Sequence, residues 1–263
     1  HIQAHASTLG VKVQELQHYL DLVATASAAD IVPFLDENRV LSYFGMQVYQ
    51  QSPRPGLIAL LGERKQPAIT VTDLVFRVAP RINAAGRMKH GSYAVELLLS
   101  ETTEEASKRA EEIEAFNEDR KAQDRDITEQ ALAQIEESGQ TNKTSTVVYD
   151  PNWHKGVIGI VASRLIETHY KPTVVFTRSG DVLTASARSV RGFDLYASLS
   201  QCQDHMIQFG GHKYAAGLTI RTEQYDGFCE CFEQVVSRQI QSDQQERTLR
   251  IDMEIPIEEI TPK

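Results

Sequence analysis

Ser186 and Arg188 stand two residues apart in ASARS (Ala185–Ser189). On a strand both side chains point to one face, and a hydroxyl beside a guanidinium can clamp a phosphate. A plain surface strand would carry the same spacing. QFGGHKYAAGL (Gln208–Leu218) concentrates Gly210, Gly211, His212 and a third glycine in eleven residues. Small residues let a backbone come close to something. That neighbour is either another strand, with His212 packed in a bulged turn, or a ligand, with His212 as a donor. WHKGVIGIVASR (Trp153–Arg164) reads as a glycine loop opening a helix, which turns free N–H groups and a positive dipole end toward an anion. His154 and Lys155 add charge, although an ordinary strand-to-helix turn also uses such a glycine. Arg81, Asn83 and Arg87 flank a glycine turn in RINAAGR, suited to phosphate contact or to an interdomain salt bridge. Asp30 ends an apolar run, and a carboxylate leaving a buried strand is well placed to ligate a metal. A two-cation phosphodiesterase centre needs several Asp and His ligands, and no such cluster is visible in the sequence.

The elements that must hold these residues differ along the chain. Residues 14–23 read as helix running into a buried segment. Helices are expected over Asn38–Gln50, from Pro55 to near Gly62, and from about Ser92 to Leu99, with Thr70 or Thr72 capping a short helix before Arg81. RINAAGRM is expected as a loop. No proline or glycine interrupts Thr103–Glu137, where Glu104–Lys108 and Glu105–Arg109 are favourable i,i+4 pairs. Its apolar residues are sparse, so it reads as one long wet helix of about 50 Å that connects two cores. SGQTNKTS (Ser138–Ser145) then marks a boundary. The stretch that follows predicts strand, loop, amphipathic helix and strand, a βαβ unit. VLTASARSV and the residues after HKYAAG predict further strands, FDLYASLSQC and Thr222–Gln241 predict helices, and LRIDMEI alternates as a strand should.

With 263 residues, 41% hydrophobic and 24% charged, the chain is globular in composition. No apolar run approaches the roughly 20 residues that span a bilayer. Three cysteines form no disulfide framework or metal spacing, which points to a reducing cytoplasm. The net charge of −9 argues against a nucleic-acid partner only until it is located: residues 101–137 hold 13 acidic and 5 basic side chains, while the glycine-bearing segments are locally basic.

Taken in order, DLVATASAADIVP, PRINAAGRM, WHKGVIGIVASRLIE, SARSVRGFDLY and GGHKYAAGL resemble the RecJ single-strand-specific exonucleases of the DHH phosphoesterase superfamily, over nearly the whole chain. The resemblance implies an α/β protein in four parts. Residues 1–100 are the mostly helical C-terminal remainder of a DHH catalytic domain, 101–140 an acidic connector helix, 141–245 a DHHA1 substrate-binding domain, and 246–263 the start of an OB-like domain. It implies 5′→3′ degradation of single-stranded DNA in repair and recombination, with Mn²⁺ or Mg²⁺ as cofactor and single-strand binding protein as a partner, away from membranes. Asp30 would then be a metal ligand. Arg81, Asn83, Arg87, His154, Ser186, Arg188, Gly210, Gly211 and His212 would contact DNA or its terminal phosphate, and Tyr214 is the guess for a stacking ring. The Asp-His-His signature is absent, so a piece of a longer enzyme, inactive alone, is expected. A short-oligonucleotide or cyclic-dinucleotide phosphodiesterase of the same superfamily is the alternative enzyme. A non-catalytic DNA-binding or scaffold relative is the alternative from another class.

Overall fold

The computed structural model describes residues 8–10, 13–30, 32–62, 68–249 and 251–260. They divide into two compact units, 1–123 and 124–263.

The first unit is helical. A 3-10 turn, Val13–Tyr19, leads into α1 (Leu20–Ala29), followed by α2 (Asp36–Gln51) and α3 (Pro55–Leu61). The apolar run before Asp30 is therefore a helix and not a strand. Four alanines favour helix there, and the Thr25 hydroxyl settles by bonding the Asp21 carbonyl at 2.8 Å. A capping box between Thr70 and Asp73 starts the next helical run, Val71–Asp73. It passes through a π-helical stretch, Leu74–Val78, into α4 (Ala79–Met88). RINAAGRM is thus helical, which corrects the expected loop. Pro80 sits at the junction of the π-helical stretch and α4, where the ladder goes without its N–H. Gly86 lies on the exposed side, a weakness of about 1 kcal/mol relative to alanine that the surrounding helix formers absorb. After α5 (Ser92–Leu98) comes α6 (Thr103–Glu137), the long helix predicted from its unbroken, mostly polar sequence. The unit boundary falls within it. Leu57, Leu60, Leu74, Val78, Leu97 and Ile113 form the fully buried centre of this unit.

The second unit is built on a five-stranded mixed sheet in the order β1-β2-β3-β5-β4. Strand β1 (Thr146–Tyr149) runs parallel to β2 (Thr173–Ser179) through α7 (Ile158–His169), the expected βαβ unit. The remaining strands, β3 (Val182–Arg188), β4 (Gln208–His212) and β5 (Ala215–Arg221), pair antiparallel. Helices α8 (Leu195–Ser200) and α9 (Tyr225–Gln239) complete the unit. Burial follows the cover. Thr173–Thr177 of β2 are buried on both faces, whereas β3 alternates along its whole length. Val174, Phe176, Leu183, Ala187, Leu218 and Ile220 point to one face and form a core with Phe228 and Phe232 of α9. On the opposite face α7 lies over β2 and β3.

Two expectations are corrected here. Cys202 and Cys231 are disulfide-bonded, tying the segment after α8 to α9; their separation of 29 residues gave no framework signal, because the fold alone brings them together. Residues 251–256 have no regular structure, and Arg250 lies outside the described residues. Leu249, Ile251 and Met253 are each at least 75% exposed. An alternating strand forms only with a partner ladder, and no strand pairs with them among the described residues.

Candidate nucleic-acid interface

Strand register collects four of the candidate residues on one sheet face. Ser186 of β3 stands opposite Gly217 of β5, which stands opposite Gly210 of β4. The next row on the same face runs Arg188, Ala215, His212. Two strand spacings separate Arg188 from His212, roughly 10 Å. This is the face that α7 covers only as far as β3, so the β5–β4 half is open. A depression of about 430 Å³ lies there, lined by Thr184, Gln208, Gly210, Gly217 and Thr219 among others.

The glycines of this region differ in what requires them. A Cβ on Gly211 would sit 2.3 Å from the Ala215 carbonyl oxygen and 2.5 Å from the Ala216 Cα, so the hairpin itself demands glycine. A Cβ on Gly210 would meet nothing within 4 Å, and one on Gly217 only the Ala185 carbonyl at 3.8 Å. The fold has room for side chains at both places. Their lack leaves bare backbone as the floor of the depression, which is what close approach of a ligand requires.

One wall is built by the first turn of α7. A Cβ on Gly159 would lie 2.9 Å from the Ser186 hydroxyl oxygen and 3.1 Å from an Arg188 guanidinium nitrogen. Glycine thus lets the helix N-terminus come down onto this pair, where its N–H groups and dipole favour an anion. Arg188 Nη1 donates to Ser186 Oγ at 3.1 Å and to the Ala187 carbonyl at 2.8 Å, which holds the guanidinium in place. His212 is exposed, and its Nδ1 accepts the Tyr214 N–H at 3.3 Å. His154, in the loop before α7, likewise accepts the Gly156 N–H on Nδ1 at 3.1 Å. In the neutral ring this leaves Nε2 as the N–H donor of both histidines. Tyr214 is half exposed, with Lys213 Nζ 5.8 Å from its ring centre. Trp153 is buried and donates to Gln130 at 2.9 Å, a packing role.

The other candidates belong to the first unit. Arg81 is engaged by Glu114 of α6 and by the Arg77 carbonyl at 2.7 Å, so its charge is partly committed to the fold. Asn83 is exposed on α4, and Arg87 keeps an exposed surface while its guanidinium is partly desolvated. Partial burial, and then the charge of Arg120, hold the Arg87 guanidinium below its usual value. Asp30 is the exposed C-cap of α1. Among the described residues no three His, Cys, Asp or Glu side chains come close enough to hold a metal ion. Sequence reasoning missed Gly159 and Gly217 as site residues, although both sit inside the quoted motifs.

Comparison with known proteins gives this geometry a context. Residues 142–238 match the DHHA1 domain. The single-stranded-DNA-specific exonuclease RecJ of Bacillus subtilis is 34% identical over 98% of this chain. Two crystal structures of RecJ from Thermus thermophilus, in complex with Mn²⁺ and with Mg²⁺, superimpose with TM-scores of 0.77 and 0.76. Each is 28% identical over 89% of this chain. The chain spans 33% of the Bacillus protein and 34% and 36% of the two Thermus chains. No described helix is long and apolar enough to cross a membrane. The open sheet face and the α7 terminus therefore lie within the segment that matches the DHHA1 domain, and the chain that carries it is similar to about one third of RecJ.

Proposed function

We propose that this chain supplies the strand-holding part of a cytoplasmic 5′→3′ exonuclease specific for single-stranded DNA. Phosphodiester hydrolysis in the whole enzyme uses Mn²⁺ or Mg²⁺. The observation that carries the reading is the pair Gly210 and Gly217, where the fold tolerates side chains and none is present. Beside that floor, Ser186, Arg188 and the α7 terminus offer a hydroxyl, a cation and helix N–H groups. That set suits a terminal phosphate, with His212 as a further donor and the open floor receiving the adjoining nucleotide. His154 lies in the loop that leads into α7. The floor is sequence-neutral, since backbone and phosphate-binding groups carry no base code.

The cations supply charge neutralisation and an activated water when bound. The described residues do not make such a centre by themselves. Asp30 contributes one ligand to a centre completed by parts of the enzyme beyond this chain, and the chain alone releases no nucleotide. The division expected from the sequence, a catalytic remainder, connector helix, DHHA1 domain and the beginning of an OB-like domain, is retained. Single-strand binding protein is the proposed partner of the whole enzyme.

The test is binding of a fluorescent single-stranded oligonucleotide, with and without a 5′ phosphate, across a salt series. Tighter binding of the phosphorylated strand, by about tenfold, is expected. Arg188→Ala and His212→Ala should each erase that preference. Equal binding of the two oligonucleotides by all three proteins would defeat the assignment of the phosphate to this face.

A further inference from the structure

We infer that the open sheet face holds three successive phosphates of one strand: the terminal one at Ser186 and Arg188, the second over Thr184, Thr219 and Gln208, and the third at Arg221. The substrate this names is a single strand of at least three nucleotides. The inference rests on the terminal phosphate site proposed above and extends it along the sheet.

Strand register continues the two rows that carry the glycine floor and the clamp. Thr219 of β5 stands opposite Thr184 of β3 on one side and Gln208 of β4 on the other. One step farther along β5, Arg221 stands opposite Val182. Residues two apart on a strand point the same way, so Thr184, Thr219, Gln208 and Arg221 share the face of Ser186, Gly217 and Gly210. The intervening Leu183, Leu218 and Ile220 are buried in the core on the other side. Successive rows lie about 6.6 Å apart, close to the phosphate-to-phosphate step of an extended single strand. A phosphate at Ser186 therefore brings the next one over the threonine row and the one after it to Arg221.

The fold does not use these polar groups itself. Among the described residues, the hydroxyls of Thr184 and Thr219 and the carboxamide of Gln208 make no hydrogen bond, and Arg221 makes neither a hydrogen bond nor an ion pair. Other hydroxyls of the unit are committed: Thr177 donates to the Trp153 carbonyl at 2.6 Å and Ser198 to Gln239 at 2.7 Å. The three free neutral groups line the depression of about 430 Å³. Arg221 is exposed beyond them, where it borders a smaller hollow of about 290 Å³. Charge agrees with a polyanion. Strands β3, β4 and β5 carry Arg188, His212 and Arg221 and not one Asp or Glu, in a chain of net charge −9. Hydroxyls and a carboxamide donate to phosphate oxygens without reading a base, and a planar guanidinium holds a phosphate well. The sequence hid Arg221 because it ends a strand outside every motif.

The experiment uses the full 263-residue chain with a fluorescent single-stranded oligonucleotide, displaced by unlabelled 5′-phosphorylated deoxythymidylates of one, two and three nucleotides. The third nucleotide should tighten competition about tenfold, the worth of one hydrogen-bonded charge. In Arg221→Ala that gain should vanish while the mononucleotide competes as before, and Arg221→Lys should keep part of it. Thr184→Val, still a branched strand residue, should cut the gain from one nucleotide to two. On the longer fluorescent strand, Arg221→Ala should reduce the log–log salt slope by about 0.7, the value for one phosphate on a single strand. A trinucleotide that competes no better than a dinucleotide overturns the inference and leaves the terminal site standing. An equal loss at all three lengths in Arg221→Ala also overturns it, because the residue then acts through the fold. A gain that depends on Arg221 in strands with no preference for a 5′ phosphate sinks the terminal site and keeps the Arg221 contact. Displacement at no length sinks both.

Discussion

The two edges of the sheet are finished in opposite ways. At the β1 edge the carboxamide of Gln140 accepts from the Val147 N–H and donates to its carbonyl, both at 2.8 Å. Gln134 does the same for Tyr149, at 2.9 and 3.0 Å. Each side chain makes the two bonds that a residue of a neighbouring strand would make, so the edge is sealed against further pairing. At the other edge β4 is left with Gln208, Gly210, Gly211 and His212 exposed. An open edge is a liability in a folded protein, and here it borders the glycine floor, with His212 on the edge strand itself and Ser186 and Arg188 two strands in on β3. The contrast is between an edge closed by side-chain carboxamides and an edge left open beside the face proposed to hold the strand.

Substitutions can break this comparison from either side. The largest effect is expected at the open edge itself. Gly211→Ala drives a methyl into the Ala215 carbonyl and should cost about 3 kcal/mol, in the range of a forced overpacking. A thermal midpoint within about a degree of wild type would show that the hairpin is looser than its geometry indicates. At the sealed edge, Gln140→Ala strands a buried N–H and carbonyl of Val147 and should cost about 2 kcal/mol. Concentration-dependent sedimentation should then report new association, because an edge has been opened.

A smaller, pH-dependent effect is expected where Glu233 of α9 anchors the segment leading into β1. Burial pushes this carboxyl up, but hydrogen bonds from Ser145 and Thr144, side chain and backbone, outweigh it and hold the group below its usual value. A depressed carboxyl stabilises the fold above its unfolded value, about 4.3, and loses that contribution as pH falls through the folded value. Glu233→Gln should therefore lower stability at about pH 7 by about 1 kcal/mol, with the gap to wild type narrowing toward about pH 3. Urea midpoints at the two pH values measure it, and a constant gap would refute the linkage. The smallest effect on stability belongs to Gly210→Ala, within about 0.5 kcal/mol, because its Cβ meets nothing. The same substitution should weaken oligonucleotide binding severalfold. If both quantities stay put, the floor is not a binding surface.

Much of this was legible from residue patterns. The βαβ unit declared itself through turn residues and alternation, and the long helix through an unbroken run that buries little. Ser186 and Arg188 could be placed on one face because a strand repeats every two residues. Local pattern failed at α1 and α4, where alanine-rich segments around a functional motif read as a strand and a loop. It failed again at Leu249–Ile255, whose alternation meets no partner ladder.

The sequence by itself determined the order of elements from the acidic helix through the βαβ unit, and the motifs that resemble RecJ, because these depend on neighbours within a few residues. Only the tertiary structure decided which glycines the fold needs. Gly210 and Gly211 are adjacent and alike on paper, and they part company only when Ala215 and Ala216 are folded back against one of them. It also decided that Cys202 meets Cys231 and that Gln134 and Gln140 close the β1 edge. Each of these depends on a contact between residues far apart in the chain. Such contacts are set by how whole elements pack, and no local window of sequence contains that information.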